Sequence, residues 1–386
     1  MLDVTRLVAL RWAGRPSNGL DRVAEAYLEH CASNARAVVQ LRGAARVLSR
    51  RHSEQLFALL QPGPVTSFRK QLMHLAPVAL AAGGRGAAGS FYINVTHTDF
   101  DLPRHRRWIE GRRLKAIYLI HDLIPILHPE FCRPHAVIRH RERVHAALSI
   151  GSGIVVNSHA TAESLASYVR THGLSSPPVL AASIAGAALD PNAAGPSFAA
   201  SAEHDANDYF LCVSTIEPRK NHGLLLDVWK DLAARRGTLT PGLVLVGKWG
   251  ALSDDVQLRI AEDPVLRRHV TVLTDLEDAQ LGLLMARSRA VLQPSRAEGF
   301  GLPVCEALAM GTPVIASDLP SHREIAQGQA LLLNPDDTGG WSAAIDAAID
   351  RPAQPEARQA AARAYRAPTW EDHFRKLDAW LDELRG

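Results

Sequence analysis

Two carboxylates eight positions apart, Glu298 and Glu306, share the stretch Pro294–Ser317 with a glycine turn, Gly299-Phe300-Gly301, and with Pro303 and Gly311. A proline at the first position and a glycine just past the end bracket a short helix. The apolar runs Ala290-Val291-Leu292 and Val314-Ile315-Ala316 on either side have the length and flanks of buried strands. The predicted unit is strand, glycine loop, helix, strand, with Glu298 in the loop and Glu306 on the first helical turn. Unpaired N–H groups at such a helix start favour an anion beside the carboxylates. Paired carboxylates can cleave a glycosidic bond as acid and nucleophile, or they can grip hydroxyl groups. The rest of the chain has to separate these chemistries.

Two adjacent cations, Arg219 and Lys220, stand at a predicted strand-to-helix turn, Thr215 to His222. That pair suits a diphosphate, because Arg forks onto two oxygens and Lys adds a point charge. The apolar strand Ala116–Ile120 ends in His121-Asp122-Leu123-Ile124-Pro125, which aims a His and an Asp at the ligand end of a parallel sheet. The alternative for His121 is a satisfied structural histidine. Lys248 and Thr274 close two further strands, Leu243–Gly247 and Val270–Leu273. Cations and a helix end for phosphate, with carboxylates for hydroxyls, together describe a sugar nucleotide.

These residues need two sheets to carry them. In the N-terminal half a strand is expected near Thr5–Leu10, then the loop from Arg11 to Gly19, whose Gly19 is a candidate donor contact. A helix follows from about Leu20, with Val23, Ala24, Tyr27 and Leu28 on one face. Gly84-Arg85-Gly86-Ala87-Ala88-Gly89 has the spacing of a dinucleotide fingerprint, but a strand, Ser90–Val95, follows it where a helix is required. It is taken as a loop. Further strands are expected at 153–157 and 179–183. From Asp190 to Asn207 the chain is rich in Ala, Pro and Ser and reads as a linker. A second strand and helix series then begins at Tyr209. The predicted organisation is residues 1–190 as an N-terminal acceptor-binding domain, 191–207 as linker, and 208–366 as a nucleotide-sugar domain. An amphipathic helix in 367–386 is expected to pack back on the first domain.

With 386 residues, 47% of them hydrophobic, the chain can fill two cores. Its four cysteines, Cys31, Cys132, Cys212 and Cys305, lack zinc-site spacing and read as buried thiols. No run is long enough to cross a bilayer, and Met1–Arg6 lacks a signal-peptide layout, so a cytoplasmic protein is expected. A net charge of +3 is too small for a nucleic-acid partner. The basic cluster Arg104 to Lys115 is either a solvated face or a landing patch for an anionic membrane.

The Glu-x7-Glu pair with its Gly-Phe-Gly-Leu-Pro insert, the Glu-Pro-Arg-Lys-Asn turn, the Leu-Ile-His-Asp strand end and the Asp-Val-Thr-Arg start resemble family 4 glycosyltransferases. The resemblance implies retaining enzymes of the GT-B fold, an α/β architecture of two Rossmann-like doubly wound parallel-sheet domains facing a central cleft. It implies that Glu306 holds the ribose hydroxyls, Glu298 the hydroxyls of the transferred sugar, and Thr274 the nucleobase through backbone groups. Gly299, Phe300, Gly301 and Leu302, with Arg219, Lys220 and Lys248, would bind the diphosphate, and His121 would touch the sugar near its reacting face. It implies no metal and no cofactor, only the nucleotide-sugar donor as co-substrate. Many relatives carry Gly and Arg where this chain has Val213-Ser214-Thr215, which throws the phosphate onto Arg219 and Lys220. The His-Asp-Leu-Ile-Pro strand end resembles bacterial mannosyltransferases of surface polysaccharide. GDP-mannose and a lipid-linked glycan acceptor at the inner face of the membrane are therefore expected. Two other readings are a non-catalytic sugar-nucleotide-binding protein and a glycoside hydrolase using Glu298 and Glu306.

Overall fold

The first strand is only two residues long, β1 (Leu2–Asp3), and the segment expected to be that strand is a helix, Thr5–Ala13. Its apolar residues Leu7, Val8 and Leu10 read as a strand run, but Arg, Leu and Ala are strong helix formers. Gly14, at φ 63°, caps the helix by donating its N–H to the carbonyls of Leu10 and Arg11. Gly19 consequently opens a second helix, Gly19–Cys31, and not the one that follows the first strand. Asn18 caps that helix reciprocally with Asp21. The structure, a computed structural model, describes residues 1–15, 18–61, 64–81, 84, 86–193 and 208–385. Most of the expected linker, 194–207, and Arg85 of the glycine run lie outside the described residues.

The chain divides into two units: Met1–Ile126 with Pro134–Ile184 and Trp370–Gly386, and Leu127–Arg133 with Ala185–Thr369. The first holds a seven-stranded sheet of β1, β2 (Ala37–Leu41), β3 (Ala44–Val47), β4 (Phe91–Asn94), β5 (Lys115–Ile120), β6 (Gly153–Val156) and β7 (Val179–Ala181), in the order β3-β2-β1-β4-β5-β6-β7. All pairings are parallel except β2 with β3, a hairpin turned by Arg42 and Gly43 at φ 50° and 75°. β5 and β6 are almost wholly apolar, as a strand covered on both faces must be.

A buried polar network crosses this sheet. An Asp3 carboxylate oxygen, Oδ2, accepts from Tyr92 Oη at 2.9 Å and from Gln40 Nε2 at 2.7 Å. His105 meets Gln40 Oε1 through Nδ1 and Tyr118 Oη through Nε2, both at 2.8 Å. Since the amide oxygen only accepts, Nδ1 carries the proton and Nε2 accepts from the phenol. Burial pushes Asp3 up to about 6. The helix Trp370–Glu383 is part of the same unit: His373 Nε2 lies 2.9 Å from Tyr27 Oη, and Phe374 stacks on His30 at 4.0 Å.

The second unit holds β8 (Tyr209–Val213), β9 (Gly242–Val246), β10 (Val270–Leu273), β11 (Val291–Gln293), β12 (Val314–Ser317) and β13 (Leu331–Leu333), all parallel, in the order β10-β9-β8-β11-β12-β13. This is the 3-2-1-4-5-6 order of a doubly wound sheet, whose strand order reverses between β8 and β11 and which binds ligands at the carboxyl ends there. Trp229 and Trp341 fill its core, each with its indole N–H satisfied, by Pro241 O at 2.8 Å and Asn334 O at 3.0 Å. The helix after β11 runs Leu302–Ala309, with Gly301 as N-cap and Pro303 at its second position. Glu306 is therefore the fifth helical residue, one position further in than expected. Gly311, at φ 71°, ends the helix where a Cβ would lie 2.0 Å from the Arg358 carbonyl oxygen, so only glycine fits.

Candidate active site

The switch point between β8 and β11 is where the second unit gathers its charges. β8 leads through a 3₁₀ turn, Pro218–Lys220, into the helix His222–Arg236, with Asn221 between them at φ 56°. Asn221 tethers the turn: its Nδ2 donates to Pro294 O at 3.1 Å and to Pro335 O at 2.9 Å. Arg296 N donates to Arg219 O at 2.7 Å, which ties the same turn to the loop after β11. Loop and turn thereby hold one geometry, as an active site built on strand ends requires.

Glu298 is the centre of this geometry. Lys220 Nζ contacts its Oε1, Arg219 Nη1 donates to Oε2 at 3.0 Å, and Ser295 Oγ donates to Oε1 at 2.8 Å. Arg219 is held in turn by Glu217 at 2.6 Å and by Ala297 O at 3.2 Å. The side chains of Glu298 and Lys220 are only 7% and 10% exposed, so their attraction is little screened. Burial alone would push the Glu298 carboxyl up, but the Lys220 and Arg219 charges override it and hold the group well below the usual carboxylate range. Burial pulls Lys220 down while Glu298 opposes the shift. Glu298 is thus a carboxylate, unsuited to donate a proton as a glycosidase acid would.

Beside it starts the helix Leu302–Ala309. Phe300 and Gly301 are buried, and Gly301 stands at φ 103°, where a Cβ would come within 3.0 Å of the His322 ring. His322 Nδ1 meets Ser317 O at 2.8 Å, and Ser321 Oγ donates to Glu298 O at 3.1 Å. Glu306 is buried on the helix and accepts the Ala187 N–H at 2.9 Å through Oε1, with Gly186 close against its side chain.

Of the residues singled out in the sequence, Arg219, Lys220 and Glu298 come together in direct contact, and Gly299, Phe300, Gly301, Leu302 and Glu306 continue the same loop and helix. Lys248 and Thr274 close β9 and β10 at exposed positions; Lys248 pairs with Asp275 at 3.3 Å, and among the described residues no hydrogen bond or ion pair joins it to Glu298. Gly19 and His121 belong to the first unit, where His121 Nε2 meets Val95 O at 2.8 Å. Four contributors were not singled out: Ser295, Asn221, Glu217 and His322. The first three lie inside the quoted stretches and have side chains able to bond; nothing in the spacing marks His322. Among the described residues no group of three or more His, Cys, Asp or Glu side chains is arranged to hold a metal ion.

Residues 196–366 match the family described as Glycosyl transferases group 1. The matched residues fall within the second unit and make up less than half of the chain. Similar proteins include the Escherichia coli serotype-specific mannosyltransferase WbdA, 30% identical over 224 residues that make up 56% of this chain and 27% of that protein. The O-antigen chain mannosyltransferase RfbU of Salmonella typhimurium is 34% identical over 144 residues, 36% of this chain and 38% of its own length. The chain thus matches well under half the length of these curated relatives. Among solved structures, Anabaena Alr3699/HepE in complex with UDP superposes with a TM-score of 0.65 at 17% identity, covering 99% of this chain and 98% of that one. Sucrose-phosphate synthase from Thermosynechococcus elongatus gives 0.65 at 17% identity, covering 95% and 94%. At that identity the likeness is one of fold, GT-B: two α/β parallel-sheet domains, the second of which carries Glu298.

Proposed function

We propose that the protein is a retaining glycosyltransferase that moves mannose from GDP-mannose to a hydroxyl of a lipid-linked bacterial surface glycan. The observation that carries this is the buried Glu298 carboxylate, held between Arg219 and Lys220 beside the start of the helix Leu302–Ala309. In the proposed reaction the bond between the sugar's C1 and the diphosphate oxygen breaks, and the acceptor oxygen bonds to C1 on the same face. The acceptor's proton passes to the departing phosphate oxygen, so no separate base is needed. Arg219, Lys220 and the peptide N–H groups of Gly299 to Leu302 stabilise the charge that develops on the diphosphate. Glu298 keeps these cations in place and holds sugar hydroxyls, Glu306 holds the ribose, and His121 touches the sugar. No metal or other cofactor enters the scheme. The mannosyltransferase relatives support mannose as the sugar.

Thermal-shift measurements with GDP-mannose, UDP-glucose and dTDP-glucose test the donor. GDP-mannose at a hundred times its Kd should raise stability by about 2.7 kcal/mol, with little effect from the other two; a larger response to UDP-glucose would refute the GDP assignment.

Attachment to the surface of an anionic membrane, as an inner-face acceptor demands, is part of the same reading. The helix Val65–Ala81 carries Arg69 and Lys70, no Asp or Glu, and exposed Met73 and Val78. The exposed Trp12 adjoins it, its carbonyl accepting from Arg69 Nε at 2.8 Å. Apolar anchors interleaved with cations suit a headgroup layer. The basic cluster is partly engaged within the fold instead: Arg106 pairs with Glu110 at 2.9 Å, and Lys115 donates to Leu384 O. Among the described residues no helix is long and apolar enough to cross a membrane. Co-sedimentation with phosphatidylglycerol vesicles should fall at least threefold when Met73 and Val78 become Ser and Arg69 and Lys70 become Gln. Unchanged sedimentation would exclude this face.

A further inference from the structure

His322 has no part in the chemistry so far. Its ring is wholly buried, on the short helix Pro320–Ala326 that follows β12. Nδ1 lies 2.8 Å from Ser317 O, and since a carbonyl only accepts, Nδ1 carries a proton. In the neutral ring Nε2 is then a bare acceptor. Among the described residues that atom has no hydrogen-bond partner, and neither has the buried hydroxyl of Ser317. The Nε2 edge of the ring is the one turned to the helix Leu302–Ala309: a Cβ on its N-cap, Gly301, would stand 3.0 Å from Cδ2 and 3.3 Å from Nε2. An unpartnered nitrogen thus abuts the helix start to which the proposed function assigns the diphosphate.

The neutral and protonated rings fare differently there. A proton on Nε2 would place a cation at the positive end of the helix dipole. Burial opposes that charge most strongly, and Lys220 opposes it further. The Glu298 carboxylate and the Ser317 carbonyl favour it without reversing the balance, so the pKa lies below its ordinary value. Glu298 is already matched by Lys220, Arg219 and Ser295, and Arg323, on the same helix as His322, is paired with Asp318. With no anion bound, His322 is therefore neutral near pH 7. A diphosphate at the helix start reverses the sign, because it brings negative charge to the place where a cation was opposed. Gly301 has no side chain to stand between the ring and that charge.

We propose that binding of a nucleoside diphosphate, or of its sugar ester, draws a proton from solvent onto His322 Nε2, which makes the ring a third cation, after Arg219 and Lys220, acting on the phosphates. The proton returns to solvent when the nucleotide leaves. Linkage is reciprocal, so a diphosphate that favours this proton binds more tightly where the proton is available. The inference rests on the glycosyl-transfer reading, and its test separates the two. Calorimetric titration of the full-length chain with GDP and with UDP at pH 7, in PIPES, HEPES and imidazole buffers, counts protons from the dependence of heat on buffer ionisation. The protein should take up about half a proton or more per nucleotide beyond His322→Asn, which by linkage is about threefold tighter binding for each unit of falling pH. His322→Asn keeps an amide donor for Ser317 O and cannot titrate; His322→Gln replaces it if it fails to fold. The nucleotide's own phosphate titrates alike with both proteins and cancels in the difference. In nitrogen-15 NMR of histidine-labelled protein, the His322 ring should carry its proton on Nδ1 alone when free and on both nitrogens in the complex. Equal proton uptake with and without His322, or an Nε2 that stays bare in the saturated complex, would overturn this inference and leave the transferase reading standing. Failure of both nucleotides to bind would overturn both.

Discussion

Lys220→Ala is expected to lower sugar transfer by about 100-fold or more, the scale of removing one charge-stabilising group from a developing oxyanion. The structure makes the reason twofold. The ammonium group is one of two cations available to the leaving diphosphate, and it is also the closest partner of Glu298. Losing it leaves a buried carboxylate with Arg219 and Ser295 alone, and breaking one side of a buried ion pair costs about 3–5 kcal/mol of stability. Arg219→Ala should cost less, because its guanidinium is 24% exposed against 10% for Lys220 and its site admits water. Turnover and donor KM separate the two contributions. A group that acts on the leaving charge lowers kcat with little change in donor KM, whereas simple loss of donor affinity raises KM. Melting curves of Lys220→Ala and Lys220→Met identify any variant that has failed to fold. Near-normal kcat in a folded Lys220→Met would remove the leaving-group role from this cluster.

Acid should destabilise the protein well above the range where carboxylates titrate. Burial lowers His105, His222 and His373 to about 4 from an ordinary 6.5. A group depressed in this way gives stability that is complete above the unfolded value and lost as pH falls toward the folded one. Each histidine therefore costs about 3 kcal/mol between pH 6.5 and pH 4, at 1.36 kcal/mol per unit. His105 and His373 both belong to the first unit. Asp3 acts in the opposite sense there: with its carboxyl raised to about 6, it gains about 3 kcal/mol as pH falls from 6 to 4. The first unit should still lose about 3 kcal/mol net from these three groups, a large share of an ordinary domain's stability. Urea unfolding at pH 8, 6 and 4.5 reads the loss directly. His373→Gln, which keeps a polar group beside Tyr27, should flatten the profile by about 3 kcal/mol. A profile level from pH 7 to pH 4.5 would contradict the burial of these rings.

The second unit was largely legible in the sequence because its signals are local. Apolar runs of three to five residues, bounded by turn formers, became β8 to β12, and Gly311 closed its helix as a glycine past a C-terminus should. The first unit was less so: β1 has two residues, too few to show any period, and the helix formers behind it imitated a strand. The charge cluster was legible only as parts. Lys220 and Glu298 are 78 positions apart, and no spacing rule reveals that Asn221 ties the two loops together or that both cations turn onto one carboxylate.

The place of the helix Trp370–Glu383 bears on how the protein is made. Its His373 bonds to Tyr27, 346 positions earlier, inside the unit that also contains the first strand. Domains ordinarily fold as units during synthesis, the N-terminal one first. Here the ribosome must translate the whole second unit before the segment that completes the first one emerges. The first unit to finish folding should therefore be the second in sequence. Until Trp370–Glu383 arrives, Tyr27 and the neighbouring helix face remain uncovered on the nascent chain, a target for chaperones during that interval.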